Sequence, residues 1–270
     1  MPDTQNTNSI NDKILIERDG PIGRLVINNP SKRNAMSLDM WRAIPDAIEE
    51  LDKDPQIHLI VVTGSGNIAF VSGADISEFE EVRGDTKSAT FYDDMNAEAY
   101  RAIRNVKKPT LALIQGFCMG GGFGLAAACD LRLSNISGKF GIPAGKLGVG
   151  YPTDAIEDIV HLVGPANAKE IYLTAKVYDA EQARHIGFLN EIFTDEAFEH
   201  EANKYCQTIA KLAPLSAQYH KAGINRAVGQ RDSIDIHQLR TMAATCFDSH
   251  DYAEGRKAFM EKRKPIFSGT

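Results

Sequence analysis

The sequence predicts an α/β fold, a strand-and-helix core followed by a helical C-terminal region. Short continuous apolar runs, HLIVVT (residues 58–63) and TLALI (residues 110–114), read as buried strands. Glycine-containing turns follow these runs and lead toward helix-prone stretches. From residue 153 onward the apolar spacing changes to steps of three and four, the period of amphipathic helices.

Residues 1–12 are polar and are expected to form a disordered tail. Residues 13–18 and 22–28 read as strands joined by a turn at Asp19, Gly20 and Pro21. Ser37 is placed to cap a helix running to about Asp52, with Pro45 as an expected kink. After the HLIVVT strand comes AFVSGADI (residues 69–76), a glycine-containing approach to a helix start, then an acidic helix-prone stretch. A long helix is expected over residues 90–106. Thr110 to Ile114 form the next strand, and short strands follow near residues 131–133 and 139–142. Phe198, Ala202, Tyr205, Ile209 and Leu212 mark one helical face, and Ile236, Leu239, Ala243 and Cys246 another. The core is expected to span residues 13–195 and the helical region residues 196–270.

A chain of 270 residues can bury a sizeable core. Its 43% hydrophobic and 24% charged content is that of a soluble globular protein. A net charge of −6 opposes general binding to nucleic acid or to anionic membrane surfaces. With no run near the length of a membrane span and no secretory signal, a cytoplasmic location is expected. Cys118, Cys129, Cys206 and Cys246 show no CxxC spacing, so they read as free thiols rather than disulfides or metal ligands.

The segment KPTLALIQGFCMGGGFGLAAACD (residues 108–130) carries the main functional signal. A strand runs into Gly120, Gly121 and Gly122 and then into a helix of small residues, which leaves backbone N–H groups unguarded at a helix start. Such a place binds an anion, or a carbonyl oxygen that becomes anionic during reaction. The alternative is that the glycines only let strand and helix pack closely. Gly122, Gly124 and Ala127 fit GxGxxA. The following helix is too short for a dinucleotide unit, however, and no acidic residue ends a following strand at the expected distance. No lysine follows the glycines, so an NTPase loop is excluded. No metal site is expected, because His200-Glu201 lacks the second histidine of HExxH. Ser72 lacks the preceding glycine of a nucleophile elbow. AFVSGADI supplies a second N–H donor, and two donors converging on one oxygen would stabilise an enolate.

Together PSKRNAM (residues 30–36), AFVSGADI, the glycine-rich segment and AFMEKRKPIF (residues 258–267) resemble the enoyl-CoA hydratase/isomerase family, or crotonase superfamily. The resemblance runs in order over nearly the whole chain. It implies a crotonase-like spiral of ββα turns whose C-terminal helices form a homotrimer or a dimer of trimers. It implies an acyl-CoA thioester substrate, coenzyme A being part of the substrate and no separate cofactor being needed. The N–H groups of Ala74 and Gly121 then match the two oxyanion donors, and Arg33 and Ala35 match the loop that holds the CoA nucleotide. Phe259 and Lys262 match residues that reach a neighbouring subunit's CoA. Independently, Arg256, Lys257, Lys262, Arg263 and Lys264 form a local cationic patch, suited to CoA phosphates or simply to a solvated helix face.

Hydratases of this family use two glutamates, and the resemblance puts Gly124 and Ala144 at those positions. Acid–base help is worth about 10²–10⁴-fold per group, so hydration is expected to be very slow. Decarboxylation of a malonyl-type thioester needs an oxyanion hole and a proton source but no strong base. LGVGY (residues 147–151) and DSHDYAEGRKAFMEKRKP (residues 248–265) are similar to the methylmalonyl-CoA decarboxylase branch, which implies a catalytic role for Tyr151. The chain departs from that branch at Ala74, where the branch has histidine, and at Gly124, where it has glutamate. The Tyr151 hydroxyl could orient a carboxylate, supply a proton or simply be satisfied in packing. Asp154, at a helix start, is a second candidate acid or base, or a cap. The open readings are an enolate-forming lyase using Tyr151 or Asp154, and a true hydratase or isomerase with a carboxylate such as Asp93 or Asp94. A non-catalytic acyl-CoA-binding protein is the third.

Overall fold

A computed structural model describes residues 8–78, 84–230 and 232–270. Strands β1 (Asn8–Asn11), β2 (Ile14–Asp19) and β3 (Ile22–Ile27) form an antiparallel meander. The expected tail therefore gives way to an edge strand at Asn8, earlier than residue 12. Backbone pairing with β2 and partial packing of Ile10 against the core hold it, and Asn11 Oδ1 accepts the N–H groups of Lys13 and Ile14 at 3.0 and 2.8 Å. Residues 1–7 lie outside the described part.

Ser37 caps α1 (Leu38–Lys53) by accepting the Met40 N–H, and the helix runs through Pro45. Strands β4 (Leu59–Gly64) and β5 (Ala69–Val71) come next, then α2 (Thr86–Asn105). This helix begins four residues before the expected 90, because Asp85 and Ser88 cap it reciprocally. Part of the acidic stretch before it, residues 79–83, lies outside the described residues. Strands β6 (Thr110–Ile114) and β7 (Phe117–Met119) precede α3 (Gly121–Ala127), and β8 (Leu131–Asn135) and β9 (Lys139–Gly141) precede α4 (Thr153–Thr174).

These successive ββα turns build a spiral. The pairs β4–β5, β6–β7 and β8–β9 each give their first strand to one sheet and their second to another, whereas β2 and β3 both join the larger sheet. The seven-stranded sheet has the order β1-β2-β3-β4-β6-β8-β11, parallel from β3 onward, with β11 (Glu191–Phe193) at its end. The smaller sheet has the order β10-β9-β7-β5, β10 being Tyr178–Asp179. All of β6 is buried, as its apolar run predicts. One face of the large sheet joins the main core around Trp41, Phe70, Phe123, Phe140 and Phe188. The other face (Leu59, Val61, Leu111, Leu113 and Leu133) is covered by the C-terminal region.

That region follows α5 (Ala180–His185) and β11, and comprises α6 (Phe198–Ala210), α7 (Pro214–Ala227), α8 (Ile236–Asp248) and α9 (His250–Met260). Phe198, Ala202, Cys206 and Ala210 bury the α6 face. Tyr205 and Ile209 flank it, and Leu212, past the helix end, is exposed. On α8 no residue is fully buried, so its apolar stripe packs only in part against the neighbouring helices. Cys118, Cys129 and Cys206 are buried free thiols, and Cys246 is half-buried. Among the described residues no helix is long and apolar enough to cross a membrane.

Candidate active site

The loop at residues 30–36 is built by its own polar groups. Arg33 and Asn34 adopt left-handed backbone with φ of 52° and 56°. The Asn34 side chain supports this by donating to Ala69 O at 2.7 Å and Ser65 O at 3.0 Å, and by accepting the Asn29 N–H at 2.9 Å. The loop is thereby fastened to β5. Beyond it Met36 and Ala74 form a parallel bridge, in which the Met36 N–H donates to Gly73 O and the Asp75 N–H donates to Met36 O. This pairing uses the groups on either side of Ala74 and leaves the Ala74 N–H without a backbone acceptor among the described residues. Next to it the buried Asp75 carboxylate accepts from Lys32 Nζ at 2.6 Å and from the Ser77 hydroxyl at 2.6 Å. Burial pushes the Asp75 carboxyl up, but the Lys32 and Ser77 bonds outweigh it and hold the group below its ordinary value.

The glycine turn supplies the facing wall. Gly120 has φ +51°, a region that favours glycine, and a Cβ there would lie 3.7 Å from Gly73 Cα, so the two glycine turns meet. Gly121 opens α3, and its N–H has no backbone acceptor among the described residues. Its peptide is fixed from the other end. The Gly120 carbonyl accepts the Tyr151 hydroxyl at 2.8 Å and the Phe123 N–H at 3.0 Å. The two ends of a trans peptide point in opposite directions, so whatever holds the Gly120 C=O also aims the Gly121 N–H. Tyr100 adds a bond to Gly121 O at 3.2 Å.

Ala74, Gly121, Ala144 and Tyr151 line one cavity of about 120 Å³, together with Trp41, Tyr92, Asn96 and Tyr100. No Asp or Glu lines it among the described residues. At Gly124 an added Cβ would lie 2.7 Å from the Tyr151 hydroxyl and 2.9 Å from the Tyr100 ring, so tyrosines fill the space a side chain would need. Burial holds the Tyr151 phenol above its ordinary value. Beneath the turn, burial also pushes the Cys118 thiol up, far from the thiolate a nucleophile requires.

Residues 17–270 match the family model described as enoyl-CoA hydratase/isomerase. The chain belongs to the enoyl-CoA hydratase/isomerase family. It is 32% identical over 260 residues to a crotonyl-CoA hydratase of Syntrophomonas wolfei, covering 95% of this chain and 98% of that one. It is 30% identical over 253 residues to a short-chain-enoyl-CoA hydratase of Clostridium acetobutylicum, covering 93% and 95%. The crystal structure of an enoyl-CoA hydratase/carnithine racemase from Magnetospirillum magneticum superposes with a TM-score of 0.92 at 36% identity, covering 98% and 97%. The chain is thus an enzyme of an acyl-CoA family, and its ββα spiral with a helical C-terminal region is that family's fold.

Of the residues expected to serve a hydratase/isomerase-family site, Ala74, Gly121 and Tyr151 come together on the cavity. Asp154 does not. It is buried on α4 with Arg104 at 3.5 Å and Arg101 at 3.8 Å, in a cluster that includes Asp158 at 3.0 Å from Arg104. Asp93 and Asp94 do not line the cavity, and Asp94 is exposed. Arg33 is exposed, its guanidinium 5.7 Å from the centre of the Phe117 ring, while Ala35 is buried in the fastened loop. Phe259 is 83% exposed at the end of α9, Lys262 follows it with φ +54°, and neither lines the cavity. Within the cationic run, Arg263 is taken up by Glu254 at 2.6 Å and Glu261 at 2.6 Å. Sequence reasoning missed Trp41, Tyr92, Asn96 and Tyr100. The last three recur at steps of four on α2, a signal that was present and pointed to one helical face.

Proposed function

We propose that this enzyme binds an acyl-CoA thioester with its carbonyl oxygen between the Ala74 and Gly121 N–H groups and forms an enolate without paired glutamates. Decarboxylation of a malonyl-type thioester is the most concrete version. The observation that carries the reading is a cavity with two free backbone donors and no lining carboxylate among the described residues. In this reaction the bond between the carboxylate carbon and the α-carbon breaks and carbon dioxide leaves. The electron pair moves onto the α-carbon and the thioester oxygen, where the two N–H groups hold the charge. A proton from water then adds to the α-carbon.

Tyr151 serves by holding the Gly120 carbonyl, since its hydroxyl proton is already directed there. Asp154, outside the cavity, serves to anchor α4 to Arg104. Arg33 and Ala35 lie along the CoA nucleotide, and Phe259 and Lys262, which do not line their own cavity, act on a neighbouring copy in a trimer or a dimer of trimers. A second reading, enoyl-CoA hydration, is favoured by the names of the relatives reported above.

Rates with methylmalonyl-CoA and crotonyl-CoA on one sample decide between the two. Release of carbon dioxide with little crotonyl-CoA hydration is the expected result. Crotonyl-CoA turnover at ordinary enzyme rates would overturn the first reading. Tight binding of acyl-CoA with no turnover of either would make the protein a binding module.

A further inference from the structure

We propose that the Asn96 carboxamide determines substrate choice by accepting a hydrogen bond from a hydroxyl carried on the acyl group; this rests on the acyl-CoA reading above. Asn96 stands one helical turn from Tyr92 and one from Tyr100 on α2, and all three line the cavity. It is 5% exposed, and its Oδ1 is buried without a hydrogen-bond partner. The other polar side chains of this wall are engaged. Trp41 Nε1 donates to the Tyr92 oxygen at 2.9 Å, and the Ser72 hydroxyl donates to Lys32 O at 3.3 Å. Tyr100 and Tyr151 donate to the carbonyls of Gly121 and Gly120.

A buried carboxamide oxygen left unpaired destabilises the fold, whereas a leucine of similar size would fill the same place without that cost. A partner that arrives with the substrate accounts for the asparagine. The carboxamide offers both donors and an acceptor without charge. No Lys, Arg or His lines the cavity among the described residues, so the group recognised is an oxygen held by hydrogen bonding rather than by an ion pair. A hydroxyl on the acyl chain supplies a donor to Oδ1, whereas a carboxylate, which only accepts, and a hydrocarbon chain do not.

Calorimetric titration with butyryl-CoA, 3-hydroxybutyryl-CoA and succinyl-CoA tests this on the wild-type chain and on Asn96→Leu. The wild type is expected to bind 3-hydroxybutyryl-CoA about tenfold more tightly than butyryl-CoA, a difference of roughly 1.4 kcal/mol, and to show no such gain with succinyl-CoA. Asn96→Leu is expected to lose that preference while binding butyryl-CoA no more weakly. A preference for succinyl-CoA over 3-hydroxybutyryl-CoA overturns the proposal, because a carboxylate cannot donate to Oδ1. Equal wild-type binding of all three, a result that needs no variant to fold, overturns the proposal and leaves the acyl-CoA reading standing. A preference that survives Asn96→Leu overturns it as well. Binding of none of the three overturns the acyl-CoA reading itself.

Discussion

Tyr151 and Asp154 are three residues apart at the start of α4, yet they face opposite chemistry. Tyr151 faces a cavity with no lining carboxylate among the described residues, whose free donors are backbone N–H groups. Asp154 faces Arg104, which also binds Asp158 through both carboxylate oxygens at 3.0 and 3.2 Å. Asp154 and Asp158 are committed to arginines, where they hold α2 and α4 together. Among the described residues the cavity's polar groups are neutral dipoles, so a charge developing on a substrate oxygen meets no competing ion from them. The difference separates a region that spends its ions on structure from one that keeps its donors for chemistry.

The largest effect expected from breaking this division comes from the arginine side. Asp158→Ala leaves Arg104, 3% exposed, without its bidentate partner, at an expected cost of about 3–5 kcal/mol in urea unfolding. Turnover per folded molecule should stay near the wild-type value; a matching fall in turnover would erase the separation. Gly121→Ala tests the cavity side. Its Cβ would meet the Trp41 ring at 2.8 Å and displace the N–H, lowering kcat by about 10²–10³-fold. Gly124→Ala should destabilise by about 1–3 kcal/mol through crowding against the Tyr151 hydroxyl. Adding Tyr151→Phe should recover part of that loss, a non-additivity a double-mutant cycle reads directly. Tyr151→Phe alone should lower kcat by about tenfold or less, the worth of one neutral hydrogen bond, with an unchanged pH profile. A hundredfold loss with a displaced pH profile would instead make Tyr151 the proton donor.

The smallest effect concerns acid stability. Because the Asp75 carboxyl is held below its ordinary value in the fold, its contribution is present above the unfolded value of about 3.9. It fades as pH falls through the lower folded value. Asp75→Asn should therefore narrow the gap in Tm between neutral pH and pH near 3, measured by thermal melts at both.

Much of this architecture was legible because its signals are local. TLALI is buried along its whole length, and the turn at Gly20 joins β2 to β3 as the dipeptide pattern predicts. The two glycine approaches were readable as donor-bearing turns, and they do meet. Strand β7 was missed because three residues are too few to show a period, and its pairing with β5 and β9 is wholly non-local. Asp154 was legible as a helix-start residue, but its direction is set by Arg104, fifty residues earlier. Asn96 was hidden among Asp93 and Asp94, since charge drew the reading to the wrong side of α2. The phase of Tyr92 and Tyr100, large side chains four residues to either side of Asn96, marks the face that points inward.

The tyrosines around Gly124 also limit what engineering can add there. A glutamate introduced at this position would drive its Cβ into the Tyr151 hydroxyl and the Tyr100 ring. Room for it has to be made by shrinking one of the two rings, and shrinking Tyr151 removes the brace on the Gly120 carbonyl. Placing an acid on this wall of the cavity therefore takes two changes rather than one.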